Sequence, residues 1–400
     1  MLFTSYAGGT VSGRSSVISM LKLLSMLIFL LFFKPLSAIV YVFIFAFSGL
    51  TSVVSIKKNF TWLDIVIIFT SFIGGFFSSF NVLHVYATSG LLAMIFYISF
   101  YYMVILIVLL DVRHEKIITT AYQLILKVGL PAIIITGIFF GSVTDTFNGY
   151  ASIPELFGVE INRVFFPLTG GVNHFGIMVG FCLVVISAFK LNHLEFFTWF
   201  ISIFVLLFFI DSRGAMLALL CSLFFSKYKF ITPYIWVAVP FVMVAFGLFL
   251  VGNDGAIFNR ENSTLFSQRE YLWALGIAGL NVMTWAELLF GYGVNGFTYN
   301  SIASDVTAFF EYRDTLGSLH NAHLTLLYDY GLFGFILALI INLKIIKNLK
   351  NLNFKMRGLS LKCLIYVSIT SATETIYSFN YILILLTFIF ISQIGKHSVK

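Results

Sequence analysis

The sequence predicts an all-α polytopic membrane protein with about twelve transmembrane helices. Of its 400 residues, 60% are hydrophobic, only 10% are charged and 48 are Phe, and the mean hydropathy is +0.99. Soluble domains carry about a quarter charged residues. This composition therefore argues against a water-soluble fold and against the disordered, collagen-like and disulfide-rich classes. The cysteines Cys182, Cys221 and Cys363 lie in apolar runs and are expected to be small buried hydrophobes.

Apolar runs that suit spanning helices recur along the whole chain, which is expected to form one integral membrane domain, 1–400. The first run is not expected to be a cleaved signal peptide, because Lys22 interrupts it. Some runs are short or adjacent, so the span count holds to within one or two. The runs are 17–33, 37–56, 62–80, 90–110, 117–141, 171–189, 195–210, 214–226, 231–251, 323–343, 361–380 and 381–394.

The basic residues assign a side of the membrane to each loop, because cytoplasmic loops retain Lys and Arg. The segment 344–362 holds six basic residues and no acidic residue, so it is expected to be a cytoplasmic loop. Counting spans outward from it places both termini in the cytoplasm and two long loops, about 142–170 and about 252–322, on the outer face. The formal net charge of +7 then mainly reflects the basic residues that are retained in cytoplasmic loops, and no nucleic-acid partner is expected.

Arginine departs from this pattern, since five of the eight Arg residues fall on the outer face. A planar guanidinium that is always charged suits the recognition of phosphate or diphosphate. The alternative is that each Arg pairs with an acidic residue of the same loop, such as Glu261 or Glu270. The five outer residues are Arg163, Arg213, Arg260, Arg269 and Arg313.

The second outer loop contains an amphipathic stretch that runs from Ser267 to Phe290. Its apolar residues recur at roughly helical spacing, which predicts a helix on or near the membrane surface with Arg269 in its first turn. Trp273 and Trp285 are expected at the level of the lipid headgroups.

The stretch from Gly291 to Gly296 fits the G-x-G-x-x-G pattern of dinucleotide sites. It follows a helical stretch instead of a strand and has no βαβ context. A glycine turn is therefore the favoured interpretation.

Two histidines, His320 and His323, end the second outer loop. Their spacing would suit zinc, but the other outer histidines, His84 and His174, are distant in sequence, and no metal is expected. His320 is expected to act as a general base or to position substrate, because a neutral imidazole accepts protons near pH 7. His323 and the neighbouring Asn321 are expected to contact substrate. The alternative is that the histidines only satisfy the entrance of the next helix.

Three acidic residues, Asp211, Asp329 and Glu374, lie within or at the outer ends of apolar runs. Charged groups at membrane depth are costly and usually face a cavity or a partner. Asp211 is two residues from Arg213, so a local ion pair is the simplest interpretation there. Glu374 is expected to orient an Arg or a His, and we place it with Arg213 and Arg260 in the substrate-binding set.

Several of these motifs together resemble the O-antigen ligase and O-antigen polymerase superfamily of bacterial inner membranes. The pattern H-N-x9-G-x-x-G over 320–334 is similar to the His motif of that superfamily. The D-S-R-G-A turn at 211–215 and the S-x-R-x3-W stretch at 267–273 resemble its other Arg-containing segments. The G-x-G segment at 291–293 and the Asn-containing stretch at 171–176 also resemble it, so the likeness covers about residues 160–335.

The resemblance implies a GT-C-like glycosyltransferase with a large helical periplasmic loop, which acts without metal or cofactor and inverts the anomeric centre. Its donor would be a glycan on undecaprenyl diphosphate at the periplasmic face. Arg213 and Arg269 would bind the diphosphate, and His320 would activate the acceptor hydroxyl. Asn321, Arg260 and Glu374 are assigned from our interpretation of the topology. A membrane lipid environment and a chain-length regulator protein are the other expected partners.

The acceptor distinguishes two activities within the superfamily. A polymerase transfers the growing chain to a new lipid-linked repeat unit, whereas a ligase transfers it to the lipid A core. The Phe-rich composition favours the polymerase, and the ligase remains the alternative. A lipid-linked oligosaccharide flippase is the alternative from a different class, but no internal repeat supports it.

Overall fold

The computed structural model describes eight α-helices, two strands, a 3-10 helix (Gly296–Tyr299) and some of the connections between them. Isolated positions within 127–139 and 234–249 are also described. The continuous described ranges are 60–85, 142–144, 163–165, 172–187, 192–226, 269–293, 296–303, 319–349 and 354–374. The helices are α1 (Trp62–Val85), α2 (Val172–Ser187), α3 (His193–Phe209), α4 (Arg213–Phe225), α5 (Arg269–Leu280), α6 (Trp285–Phe290), α7 (Ala322–Asn348) and α8 (Phe354–Thr373). The strands are β1 (Ser142–Thr144) and β2 (Arg163–Phe165).

Six of the predicted apolar runs correspond to helices α1, α2, α3, α4, α7 and α8. Within the described residues, α7 is the helix that is long and apolar enough to cross a membrane, with a mean hydropathy of 2.0 over its best window. Shorter apolar stretches occur in α1 to α4. The other six predicted runs lie largely or wholly outside the described residues, so the twelve-span count stays a prediction.

The exteriors of the helices are apolar, which is consistent with a helical membrane protein. Phe69 and Phe72 of α1 are 64% and 65% exposed, and Leu194 and Phe197 of α3 are exposed to a similar extent. Large exposed apolar faces are rare on soluble monomers. These faces suit contact with hydrocarbon.

The two strands are the departure from the expected all-α fold within the described residues. β1 and β2 pair antiparallel, with Val143 opposite Val164, and so close the predicted outer loop 142–170 on itself. Much of the predicted basic loop 344–362 is helical, since α7 continues to Asn348 and α8 begins at Phe354. Within it, Lys344 is buried in an ion pair with Asp64 of α1.

The packing of α2, α4 and α8 forms a compact core. The Tyr366 hydroxyl of α8 donates to the carbonyl of Ile177 in α2 at 2.8 Å, and Gly180 leaves space for that ring. On α4, Gly214 lies against Thr373, where a Cβ atom would meet the threonine hydroxyl. These small residues let the helix backbones approach closely, as is common in membrane helix packing.

The contacts define two opposite ends of the described helices. At one end, which we call the site end, Arg213, Arg269 and His320 lie near the last residues of α8. The other end, which we call the basic end, contains the Asp64–Lys344 pair and the hydrogen bond from Lys362 to Ser187 at 2.8 Å. The packing therefore separates residues that were assigned to the outer face from residues that were assigned to the cytoplasmic face. The side of the membrane that each end occupies remains a prediction.

Helix α7 is broken at Gly331, whose φ is +63° and ψ is −165°. The carbonyls of Tyr328 and Asp329 accept hydrogen bonds from the N–H groups of Tyr292 and Gly293, at 2.7 and 3.0 Å. We call this arrangement the glycine clasp, made by residues 289–293 and 328–331. Left-handed backbone at Gly291 and Gly293 confirms the predicted glycine turn. Because two of its N–H groups already bond α7, the turn is not arranged as a phosphate cradle.

The predicted amphipathic helix of the second outer loop is divided into α5 and α6. Thr284 caps α6, accepting from the Glu287 N–H while the Glu287 carboxylate accepts from the Thr284 N–H. The headgroup assignment was wrong for Trp273, which is 1% exposed in a core with Leu319 and Tyr328. The sequence pattern does not distinguish the buried face of α5 from an exposed one. Trp285, in contrast, is 80% exposed.

Candidate functional site

The buried carboxylate of Glu374 joins two of the predicted catalytic residues at the site end. Its Oε1 lies 2.8 Å from Nη2 of Arg269, and its Oε2 lies 3.4 Å from Nδ1 of His320. The Glu374 side chain is 8% exposed, whereas those of Arg269 and His320 are 19% and 25% exposed. Glu374 was expected to orient an Arg or a His, and the structure places it in contact with one of each.

Arg269 is the first residue of α5 and reaches across to the end of α8. Its Nη1 donates to the carbonyl of Thr373, the last residue of α8. The last carbonyls of a helix lack partners within the helix and carry the negative end of its dipole. The guanidinium is therefore held by a carboxylate and by a helix C-terminus, while part of it remains open to solvent.

His320 has a left-handed backbone, with φ of +48°, and directly precedes the cap of α7. That cap is Asn321, whose Oδ1 accepts from the N–H groups of His323 and Leu324, both at 3.0 Å. The Asn321 Nδ2 group donates to the carbonyl of Ala372 in α8. Asn321 thus fixes the start of α7 against the end of α8, and this contact places His320 beside Glu374.

Arg213 begins α4 and is bound by the residue two positions before it. Its Nε donates to Oδ1 of Asp211 at 3.1 Å, and the Asp211 side chain is 1% exposed. The predicted local ion pair is confirmed, and 32% of the Arg213 side chain remains exposed. The next residue, Gly214, packs against Thr373, so Arg213 and Arg269 both lie near the same residue of α8.

The Asn-containing stretch at 171–176 meets this turn. A Cβ atom at Gly176 would lie 2.6 Å from Cβ of Ser212, so only glycine lets α2 pack against the 211–214 turn. Two of the motifs that resemble the superfamily are thereby in contact.

The remaining predicted site residues are placed differently. His323 is 6% exposed and its ring lies 6.2 Å from that of Phe335, so it faces the interior of the protein while His320 contacts Glu374. Arg260 and Arg313 lie outside the described residues, and the structure describes only the backbone of Arg163, in β2. The sequence analysis did not identify the carbonyls of Ala372 and Thr373, since backbone acceptors leave no signal in residue type.

The arrangement suits the binding of a multiply charged anion and the removal of a proton. Two guanidinium groups are oriented by buried carboxylates. Each guanidinium can therefore offer its other N–H donors to an anion without first being ordered by that anion. If Nδ1 of His320 carries its proton toward Glu374, Nε2 is the basic nitrogen that can accept one. Anion binding and proton abstraction could then occur side by side.

The described helices, their apolar exterior and the Arg- and His-containing site at one end are consistent with an integral membrane protein. Residues 197–339 match the family model described as O-antigen ligase. This match, over about a third of the chain, confirms the resemblance to the O-antigen polymerase and ligase superfamily. The match runs from α3 into α7 and includes Arg213, Arg269 and His320, whereas Glu374 lies beyond it. No curated protein matches the chain.

The family consists of bacterial integral membrane enzymes of the glycosyltransferase type that act in lipopolysaccharide biosynthesis. The chain therefore fits a membrane glycosyltransferase whose substrates are lipid-linked saccharides.

Proposed function

We propose that this chain is an O-antigen polymerase that transfers a growing glycan from undecaprenyl diphosphate to a lipid-linked repeat unit. The observation that supports it most directly is the Glu374 carboxylate, which contacts both Arg269 and His320. Glu374 thus holds together Arg269, which suits the binding of a diphosphate, and His320, which suits the acceptance of a proton. The family match to residues 197–339 supports the same reaction class.

The diphosphate of the donor would bind between Arg213 and Arg269. Both guanidinium groups are partly exposed at the site end, and each is oriented by a buried carboxylate. Such preorganised donors stabilise charge that develops on a leaving group. Arg260 is an additional candidate for this role from the sequence.

His320 would act as the general base toward the acceptor sugar. The acceptor hydroxyl gives its proton to Nε2 of His320, and its oxygen forms the new bond to the anomeric carbon of the donor. The bond between that carbon and the diphosphate oxygen breaks, and undecaprenyl diphosphate leaves with the bonding electron pair. Attack from the face opposite the leaving group inverts the anomeric centre. General-base catalysis of this kind contributes about 10²–10⁴-fold in rate.

The site end is proposed to face the periplasm, with both termini in the cytoplasm and the chain in the bacterial inner membrane. The distribution of Lys in the sequence supports this orientation. The structure offers a consistent feature, since Lys344, Lys347, Arg357 and Lys362 all lie toward the basic end, opposite the site. A chain-length regulator protein stays a prediction.

Deletion of the gene distinguishes the proposed activity from the alternatives. Loss of a polymerase leaves lipopolysaccharide with a single repeat unit, whereas loss of a ligase leaves bare core and polymer retained on the lipid carrier. A flippase deletion leaves lipid-linked repeats on the cytoplasmic side. Unchanged lipopolysaccharide and capsule in the deletion strain would contradict both transfer activities.

Complementation of the deletion strain tests the residues. Arg269→Ala and His320→Ala are each expected to lower polymer formation by about 10²-fold or more, as loss of an oxyanion donor or a general base does elsewhere. His193→Ala is the matched control, because His193 is exposed at the start of α3, away from the site end. A full polymer ladder from either site variant would refute the mechanism.

A further inference from the structure

The basic end carries more positive charge than its described acidic side chains neutralise. Asp64 is buried in its pair with Lys344, and Glu195, at the start of α3, lies 2.9 Å from Lys127. The segment 344–362 contains five basic residues besides Lys344 and no acidic residue. The proposed transfer reaction, at the opposite end, gives this surplus of positive charge no role.

Lys347 and Trp62 form an exposed part of the basic end. The Lys347 ammonium lies 5.6 Å from the centre of the Trp62 ring, in a cation–π contact. Both side chains are exposed, Trp62 by 62%. A contact of this kind does not neutralise the ammonium, which can still donate to an anion. Arg357 of α8 donates to the carbonyl of Leu349 at 2.8 Å, so a second cation lies at the same end of α7.

An apolar stripe runs along α1 from Trp62. Its members recur every three or four residues, so they lie on one face of the helix, and each is more than half exposed. We call this face the α1 stripe. Its members are Trp62, Ile65, Phe69, Phe72, Phe76 and Phe80.

The α1 stripe is long enough to cross one leaflet. At 1.5 Å per residue, the part from Ile65 to Phe76 is about 16 Å long. Half of the hydrocarbon core of a bilayer is about 15 Å. Trp62 lies about one turn before this part, so it and the Lys347 ammonium above it reach the level of the lipid headgroups when the stripe crosses the leaflet.

Helices α1 and α7 lie side by side over this length. Asp64 pairs with Lys344 at the basic end, and Phe77 and Phe333 both stack on Phe290 farther along, at 5.0 and 5.1 Å. This part of α7 lies beyond the break in that helix and has helical backbone throughout. One helix thus supplies an apolar face and the other supplies a cation at the end of that face.

We propose that an anionic phospholipid binds at this corner of α1 and α7. Its phosphate lies at Lys347 and Trp62, and its acyl chains lie along the α1 stripe. Basic residues at a membrane surface attract acidic headgroups, and each strengthens binding by about fivefold. The proposal goes beyond the transfer reaction and requires only that α1 and α7 span a bilayer.

Quenching of Trp62 fluorescence by brominated lipids tests this proposal. The full chain and its Trp62→Phe variant are reconstituted in mixtures of phosphatidylglycerol and phosphatidylcholine, with bromine on the acyl chains of one lipid or of the other. Trp62 is one of five tryptophans, so its emission is the difference between the two proteins. Because bromine quenches at short range, the two series give the affinity of phosphatidylglycerol relative to phosphatidylcholine beside Trp62.

We expect phosphatidylglycerol to be favoured by about fivefold or more at low ionic strength, and less as salt screens the charges. Lys347→Gln, with Trp62 again read as a difference, should lower this preference by about fivefold, whereas Lys347→Arg should keep it. Lys127→Gln is the matched control, because it removes the same charge from an ion pair with Glu195 at the same end. It should leave the preference unchanged.

Equal affinities for the two lipids beside Trp62 would overturn the proposal. An equal loss of preference in Lys347→Gln and Lys127→Gln would overturn it as well, since total charge and not this corner would then attract the lipid. The measurement involves no glycan, so its result is independent of the proposed function. An inactive chain that prefers phosphatidylglycerol refutes only the proposed function, and an active chain without this preference refutes only the lipid site.

Discussion

Replacing Glu374 with Gln is expected to slow glycan transfer while leaving the shape of the site almost unchanged. The Glu374 carboxylate lies 2.8 Å from Arg269 and 3.4 Å from His320, and it is 8% exposed, so water screens it little. Glutamine keeps the length of the side chain and removes its charge. Arg269 then keeps the Thr373 carbonyl as a partner, and His320 loses the acceptor that favours a proton on Nδ1.

The expected magnitude follows from the two contacts. A hydrogen bond to a charged group contributes about 1.5–3 kcal/mol, and a neutral one about 0.5–1.5 kcal/mol. Arg269 keeps its charge and can retain the one amide oxygen, whereas His320 loses its contact with a carboxylate, which removes about 1.5–3 kcal/mol. At about 1.4 kcal/mol per tenfold change in rate, transfer should fall by roughly 10- to 150-fold.

The assay is the initial rate of chain extension by the purified protein in proteoliposomes with a polyprenyl-diphosphate-linked oligosaccharide. Misplacement of Arg269 raises KM for the donor, and a misoriented His320 lowers kcat, so a positioning role for Glu374 changes both parameters. Glu374→Asp should recover part of the rate. Glu287→Gln is the control, because Glu287 caps α6 away from the site. A Glu374→Gln variant as active as the unmodified protein would refute the role assigned to this carboxylate.

Two further predictions concern stability, measured by thermal unfolding in detergent. Gly331→Ala should lower the free energy of unfolding by about 2–4 kcal/mol, because its Cβ would lie 2.3–2.5 Å from the backbone of residues 289–290 and its φ is +63°. Gly358→Ala is the control, with no atom within 4 Å of the added Cβ, and equal effects would contradict the clasp. Lys344→Met should cost about 3–5 kcal/mol by leaving Asp64 charged and buried, and adding Asp64→Leu should restore most of it. A double variant no more stable than Lys344→Met would show that the pair is not the cause.

The sequence predicted the helices that frame the site and several of the residues that the structure places there. Apolar run length predicted six of the described helices, and the displaced charges pointed to Arg213, Arg269 and Glu374. The ion pairs of Asp211 with Arg213 and of Glu374 with Arg269 follow from a general rule, because an acidic group at membrane depth needs a partner.

Other features could not be predicted, and the reason is the same apolar composition. When the exterior is as hydrophobic as the core, residue type does not distinguish a buried Trp273 from an exposed Trp285. Uniform hydropathy also conceals the break in α7 at Gly331. Asn321 also donates from Nδ2 to the carbonyl of Ala372, a contact between residues far apart in the chain.

The glycine clasp also has a consequence for how the protein is made. The carbonyls of Tyr328 and Asp329 would each cost several kcal/mol if α7 entered the bilayer with them unsatisfied. Their donors, Tyr292 and Gly293, are synthesised earlier than α7. The turn that contains these donors is therefore already translated when α7 leaves the translocon, and α7 can complete its insertion by docking onto it.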